Sequence, residues 1–69
     1  MARQQITVTV ADRGQSIRVA GWINGTNYGL AGSPLDPTGL DDEGQRVSLS
    51  TSAQLRAYEQ VEAAAEHPQ

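Results

Sequence analysis

Ile17-Arg18-Val19-Ala20-Gly21-Trp22-Ile23-Asn24-Gly25-Thr26-Asn27-Tyr28-Gly29-Leu30 is the stretch from which the fold follows. Asn24-Gly25 is the strongest short hairpin signal in it, because a two-residue type I′ turn needs positive φ at both central positions. A turn closed there sets Ile23 opposite Thr26, Gly21 opposite Tyr28 and Val19 opposite Leu30. Ile17, Val19, Ile23, Tyr28 and Leu30 then share one face. Trp22, the only tryptophan, points to the other face with Arg18 and Asn27.

Upstream, Gln5-Ile6-Thr7-Val8-Thr9-Val10-Ala11 alternates apolar and polar residues and is rich in β-branched side chains, the pattern of a half-buried strand. Asp12-Arg13-Gly14-Gln15 supplies turn chemistry, with Asp to open and Gly for a left-handed position. Pairing Ala11 with Ser16 brings Val10 to Ile17, Val8 to Val19 and Ile6 to Gly21. Two separate turns thus select the same apolar face, and a one-residue slip in either hairpin would invert every side chain on its strand. Gly21 packs poorly in a strand, and the expected compensation is the Tyr28 ring lying across from it. A bulge at Gly21 is the competing reading, and it would turn the indole inward.

Downstream, residues 32–45 are punctuated by Gly and Pro and read as a loop, longer than compact domains usually carry without a purpose. A fourth strand over 46–50 is expected to point Val47 and Leu49 inward. Thr51-Ser52-Ala53-Gln54 has a capping-box pattern, opening a helix over about 52–66 that Pro68 stops. Leu55, Tyr58, Val61, Glu62 and Ala65 fall along one side at helical spacing, and all but Glu62 suit packing on the sheet. Glu59, Glu62 and Glu66 are expected to make the outer side acidic. The expected fold class is α+β: one small domain over 1–69 with an antiparallel three- to four-stranded meander sheet (strands about 5–11, 16–23, 26–31 and 46–50) and one C-terminal helix packed on one face.

A chain of 69 residues holds one domain at most, and burial at that size barely outweighs conformational entropy. Only 38% of residues are hydrophobic and Phe is absent, so the core must come from Ile, Val, Leu and Ala. So thin a core favours self-association or docking on a partner. Cys is absent, which excludes disulfides and thiolate chemistry. All five cations are Arg, and the net charge of −3 argues against binding duplex nucleic acid. No apolar run is long enough to span a membrane, and Met1-Ala2-Arg3 leads straight into a strand, so the expected location is cytoplasmic.

The acidity is local: Asp36, Asp41, Asp42 and Glu43 fall within residues 35–45, which carry no cation. Calcium is one reading of such a loop, but the spacing lacks the alternating Asp and distal Glu of an EF-hand. A solvated loop, or an acidic surface offered to a basic partner, fits better, and neither a metal nor a cofactor is expected. Catalysis has no constellation to rest on, since His67 is the only histidine and lies at the fraying end. The glycines match no phosphate-binding motif.

What remains is the second face of the sheet, with Gln5, Thr7, Thr9, Arg18, Ala20, Trp22, Asn27 and Gly29. Trp and Arg are enriched at binding hot spots, and short neighbours leave a ring accessible. The expectation is a small non-enzymatic protein-binding module, an inhibitor or accessory factor of the kind phages carry. Trp22, Arg18, Asn27, Thr7 and Thr9, together with the acidic loop of Asp36, Asp41, Asp42 and Glu43, form its contact surface, and its partner is another protein or a second copy. The alternative is a homo-oligomer that binds a small ligand or nucleotide between subunits, in a pocket lined by Trp22, Tyr28 and Arg18. A sheet face bearing a single aromatic is a poor stacking platform for bases.

Overall fold

The computed structural model describes residues 3–32 and 37–66. It shows an α+β fold with five strands and one helix: β1 (Gln4–Asp12), β2 (Gln15–Asn24), β3 (Asn27–Leu30), β4 (Thr38–Leu40), β5 (Arg46–Ser48) and α1 (Thr51–Glu66). Every pairing is antiparallel, and β2 is the long central strand. β1 covers one edge of it, β3 and β4 share the other, and β5 pairs with β4.

The first hairpin has the register expected from its sequence, with Val10 opposite Ile17, Val8 opposite Val19 and Ile6 opposite Gly21. No bulge interrupts it, since pairing runs unbroken from Gln4–Ile23 to Asp12–Gln15. Gly14 takes the expected left-handed position (φ 78°), and Arg13 (φ 54°) joins it there, which is the type I′ pattern. The second hairpin is shifted by two residues. Ile23 faces Tyr28 rather than Thr26, and Gly21 faces Leu30 rather than Tyr28, because Asn24 and Asn27 close the ladder around Gly25-Thr26. Only Gly25 there has positive φ, at 66°, as in a type II′ turn with Gly first. A shift of two preserves the parity of every side chain, so the two faces stay as expected. The expected cover of Gly21 by Tyr28 is therefore absent. A Cβ at Gly21 would lie 2.7 Å from Val61 Cγ2, so the glycine instead lets the helix approach the sheet.

The expected loop over 32–45 is in part a hairpin. β4 runs antiparallel to β2 along the edge that β3 leaves, and the Arg18–Leu40 pair lies seven residues out of step with the β2–β3 register. β3 and β4 are thus two pieces of one edge, and residues 33–36, between them in the chain, lie outside the described residues. Gly39 is required here, because a Cβ would strike Ile17 and lie 2.8 Å from Arg18 O. Between β4 and β5, Gly44 N donates to Asp41 O (2.9 Å) and Asp41 N to Gln45 O (3.0 Å). Asp41 Oδ1 accepts from the amides of Glu43 and Gln45, both at 2.9 Å, and Gly44 takes a φ of 79°. This is an Asp-initiated turn closed by a left-handed glycine.

Val8, Val10, Ile17, Val19, Leu49, Ala53, Ala57 and Val61 form the core between sheet and helix, flanked by Ile6, Ile23, Tyr28, Leu30 and Val47. Leu49 points inward as expected, although β5 ends at Ser48. The helix differs from expectation at both its start and its phase. Its cap is Ser50 rather than Thr51: Ser50 Oγ accepts from Ala53 N (3.2 Å), and Gln54 Nε2 reaches back to Leu49 O (3.2 Å). Its buried stripe is Ala53, Ala57 and Val61, whereas Leu55 is 61% exposed and Tyr58 45%. Glu62, expected outside, accepts a hydrogen bond from the Tyr28 hydroxyl. On the other flank Gln60 Nε2 donates to Thr9 O (2.9 Å) and Arg56 Nη2 to Ala11 O, two outward carbonyls of β1. These clasps, with Leu49 buried just before the helix, set its rotation, so small alanines face the sheet. Among the described residues no helix is long and apolar enough to cross a membrane. Pro68 and His67 lie outside the described residues.

Candidate functional site

Strand parity puts Gln5, Thr7, Thr9, Arg18, Ala20, Trp22, Asn27 and Gly29 on the face away from the helix, as the sequence implies, and β4 and β5 extend that face. Three antiparallel pairings build a continuous row across four strands: Thr9, Arg18, Leu40, Arg46. Beside this row Thr7, Ala20 and Thr38 complete the lining of an open groove of about 320 Å³, with Arg18, Leu40 and Arg46 on one flank and Gly39 in its floor. Thr7, Arg18, Ala20, Leu40 and Arg46 are all exposed to solvent. Leu40, at 39%, is the only large apolar side chain among the described lining residues.

Both groove arginines are held by neutral oxygens. Arg18 Nη2 donates to the backbone carbonyl of Asp41 (3.2 Å), and Arg46 Nη1 to Thr38 Oγ1 (3.1 Å). Each guanidinium keeps further N–H groups in a planar fork suited to carboxylate or phosphate.

Trp22 lies on the open face but does not stand free of its neighbours. It faces Gly29 across the ladder, and its indole covers that glycine so closely that a Cβ there would fall 2.9 Å from a ring carbon. The Arg3 guanidinium stacks on the ring, with Cζ 4.7 Å from the centroid. The indole is half-buried and serves the sheet, compensating a strand glycine as an aromatic cross-strand neighbour does. Asn27 is exposed at the end of β3 beyond the tryptophan, outside the groove, and Thr9 sits at the head of the Arg18 row. Tyr28 belongs to the helix side, so Trp22, Tyr28 and Arg18 do not line one pocket within this chain.

Of the acidic residues singled out in the loop, Asp41 organises the β4–β5 turn, while Asp42 and Glu43 are exposed at its tip. Asp36 lies outside the described residues. Among the described residues no group of three or more His, Asp or Glu side chains is placed to hold a metal. Leu40, Thr38 and Arg46 escaped the sequence reading because they fall in or beside the stretch taken for loop. A signal was nonetheless present: Asp41-Asp42-Glu43-Gly44 has Asp at the first and Gly at the last position of a type I turn, and Leu40 and Val47 flank it.

Two titrating groups with displaced pKa values belong to the helix clasps rather than to the groove. Hydrogen bonds from Ser50 Oγ (2.7 Å) and Ser50 N (3.1 Å) hold the Asp12 carboxyl below its ordinary 3.8. The hydrogen bond to Glu62, with partial desolvation, pushes the Tyr28 hydroxyl up to about 12. Compared with protein-family models, with curated proteins and with solved structures, the chain shows no significant match.

Proposed function

We propose that the chain is a small non-enzymatic binding module that docks on a protein partner through the helix-free face of its sheet. The observation that carries this reading is the Arg18–Leu40–Arg46 row beside Thr7, Ala20 and Thr38. Two anchored guanidinium groups and one exposed leucine there flank a groove of about 320 Å³. Arginine beside accessible apolar area is the composition of interface centres. The contact surface is accordingly centred on Arg18, with Thr7 and Thr9 beside it, and Trp22 and Asn27 form its margin. On this reading the chain acts as an inhibitor or accessory factor of the protein it docks on.

Ala20→Glu tests this reading without disturbing the core, since Ala20 is exposed within the groove. Proteins retained by immobilised wild-type chain should be lost with Ala20→Glu while the melting temperature stays within a few degrees. Leu55→Glu, on the outer surface of α1, should retain them. Loss with Leu55→Glu and retention with Ala20→Glu would move the interface to the helix and end the proposal.

A further inference from the structure

We infer that the groove between Arg18 and Arg46 is a carboxylate site, and that the partner enters it with an extended acidic segment. The inference rests on the binding face proposed above and adds the chemistry of its occupant. Arg18 and Arg46 are separated by one strand in the same cross-strand row, which places their Cα atoms about 10 Å apart, with Leu40 between them. Acidic side chains at alternate positions of an extended segment lie about 7 Å apart, within the reach of two long arginine stems.

Among the described residues this site has no acid of its own. None of the described lining residues is acidic, although the chain has eight Asp and Glu. The nearest in sequence, Asp41, offers Arg18 its carbonyl while its Oδ1 is held by two amides of the hairpin turn. Both guanidinium groups are therefore oriented by neutral acceptors and line the groove. Leu40 and Ala20 supply apolar surface for the methylene stem of a glutamate. The groove is at the small end of the range for ligand sites and is open, which suits one or two side chains better than an enclosed small molecule.

A nucleic acid is the less suitable polyanion. Phosphate tracking gains affinity from many cationic contacts, whereas the described lining of this groove offers two, Arg18 and Arg46. The one tryptophan is already engaged by Gly29 and Arg3, and it is the only aromatic side chain among the described residues of this face.

The test is a titration of ¹⁵N-labelled full-length protein with a short capped peptide of alternating Glu and Thr. Its controls are the same peptide with Gln for Glu, oligo-dT, and sodium phosphate. The expected result is saturable shifts of the Arg18 and Arg46 Nε–Hε signals and of the Ala20 and Leu40 amides. Binding should weaken at least about tenfold in Arg46→Ala and in Arg46→Gln, weaken again from about 50 to about 300 mM salt, and be absent with the Gln peptide. No shift at millimolar Glu peptide, undiminished binding by Arg18→Ala/Arg46→Ala, or tighter binding of oligo-dT or phosphate overturns the inference. So does a dimer seen by light scattering that Arg46→Ala dissociates, since a second copy would then be the occupant. If the peptide fails while Ala20→Glu still abolishes capture of the partner, the carboxylate chemistry is wrong and the docking face survives. If both fail, both readings fall.

Discussion

Arg13 shows how a single residue is made to adopt a conformation its side chain disfavours. With φ at 54° it occupies the left-handed region in the β1–β2 turn, where a non-glycine residue costs about 1–2 kcal/mol and where Asn is the preferred occupant before Gly. Arg13→Asn is expected to raise stability by about 0.5–1 kcal/mol in urea denaturation, and a fall would show that the arginine side chain contributes more than the strain removes. One residue earlier, Asp12 works through its charge. Its carboxyl is held below 3.8 in the folded chain, so its stabilising contribution is complete above that value and is lost as pH falls through the lower folded value. Wild type is expected to exceed Asp12→Asn in melting temperature at neutral pH, with the gap closing below 3.8; a gap unchanged at acid pH would sever the carboxylate from the helix cap. Neither effect was legible beforehand: Asp-x-Gly announces a turn but does not say which turn, nor that its carboxylate will hold the helix-capping serine 38 residues away.

The hairpins and the helix were legible to different depths, and their physics explains why. Strand parity is a period-two property carried by every residue of β1 and β2, so a register error of two in the second hairpin left Trp22 and the aliphatic row on their expected faces. Helix phase has no such protection. Leu55 and Tyr58 look like the packing face by size, yet Ala53, Ala57 and Val61 fill the narrow gap over Gly21, and the clasps at Arg56, Gln60 and Glu62 hold that rotation. Val61→Ala should therefore cost about 2 kcal/mol and Leu55→Glu less than about 0.5, the reverse of what side-chain size suggests. Thermal melts of the pair decide it, and equal losses would contradict the observed phase. The Tyr28–Glu62 clasp has its own signature. With the hydroxyl raised from 10.0 to about 12, the stabilisation it gives is complete below pH 10 and is lost as pH rises through the folded value. Glu62→Gln is expected to bring the Tyr28 titration back toward 10.0 in an ultraviolet absorbance titration, while an unmoved titration would mean that burial, not Glu62, is responsible.

At the scale of the whole molecule the fold separates its labour: the helix side is occupied by the core and its clasps, and the groove arginines face outward from the other side of the same sheet. The class of fold, the single layer of helix on sheet and the polar character of the open face were readable from alternation and turn chemistry. The groove was not, because half of it depends on β4, three residues long and hidden in a stretch rich in Gly and Pro, whose strand character comes from pairing with β2 rather than from its own propensity. A core built without Phe also makes the helix indispensable to the sheet. Gln60 and Arg56 occupy the outward carbonyls of Thr9 and Ala11, so α1 blocks part of an edge strand dense in β-branched residues. Local fraying of α1 would unmask a template for intermolecular β-sheet growth. Arg56→Ala/Gln60→Ala should accordingly form thioflavin-positive fibrils in mild denaturant sooner than wild type, even where most molecules remain native; equal lag times would refute the guard. The helix that builds the core would then also be the chain's protection against amyloid.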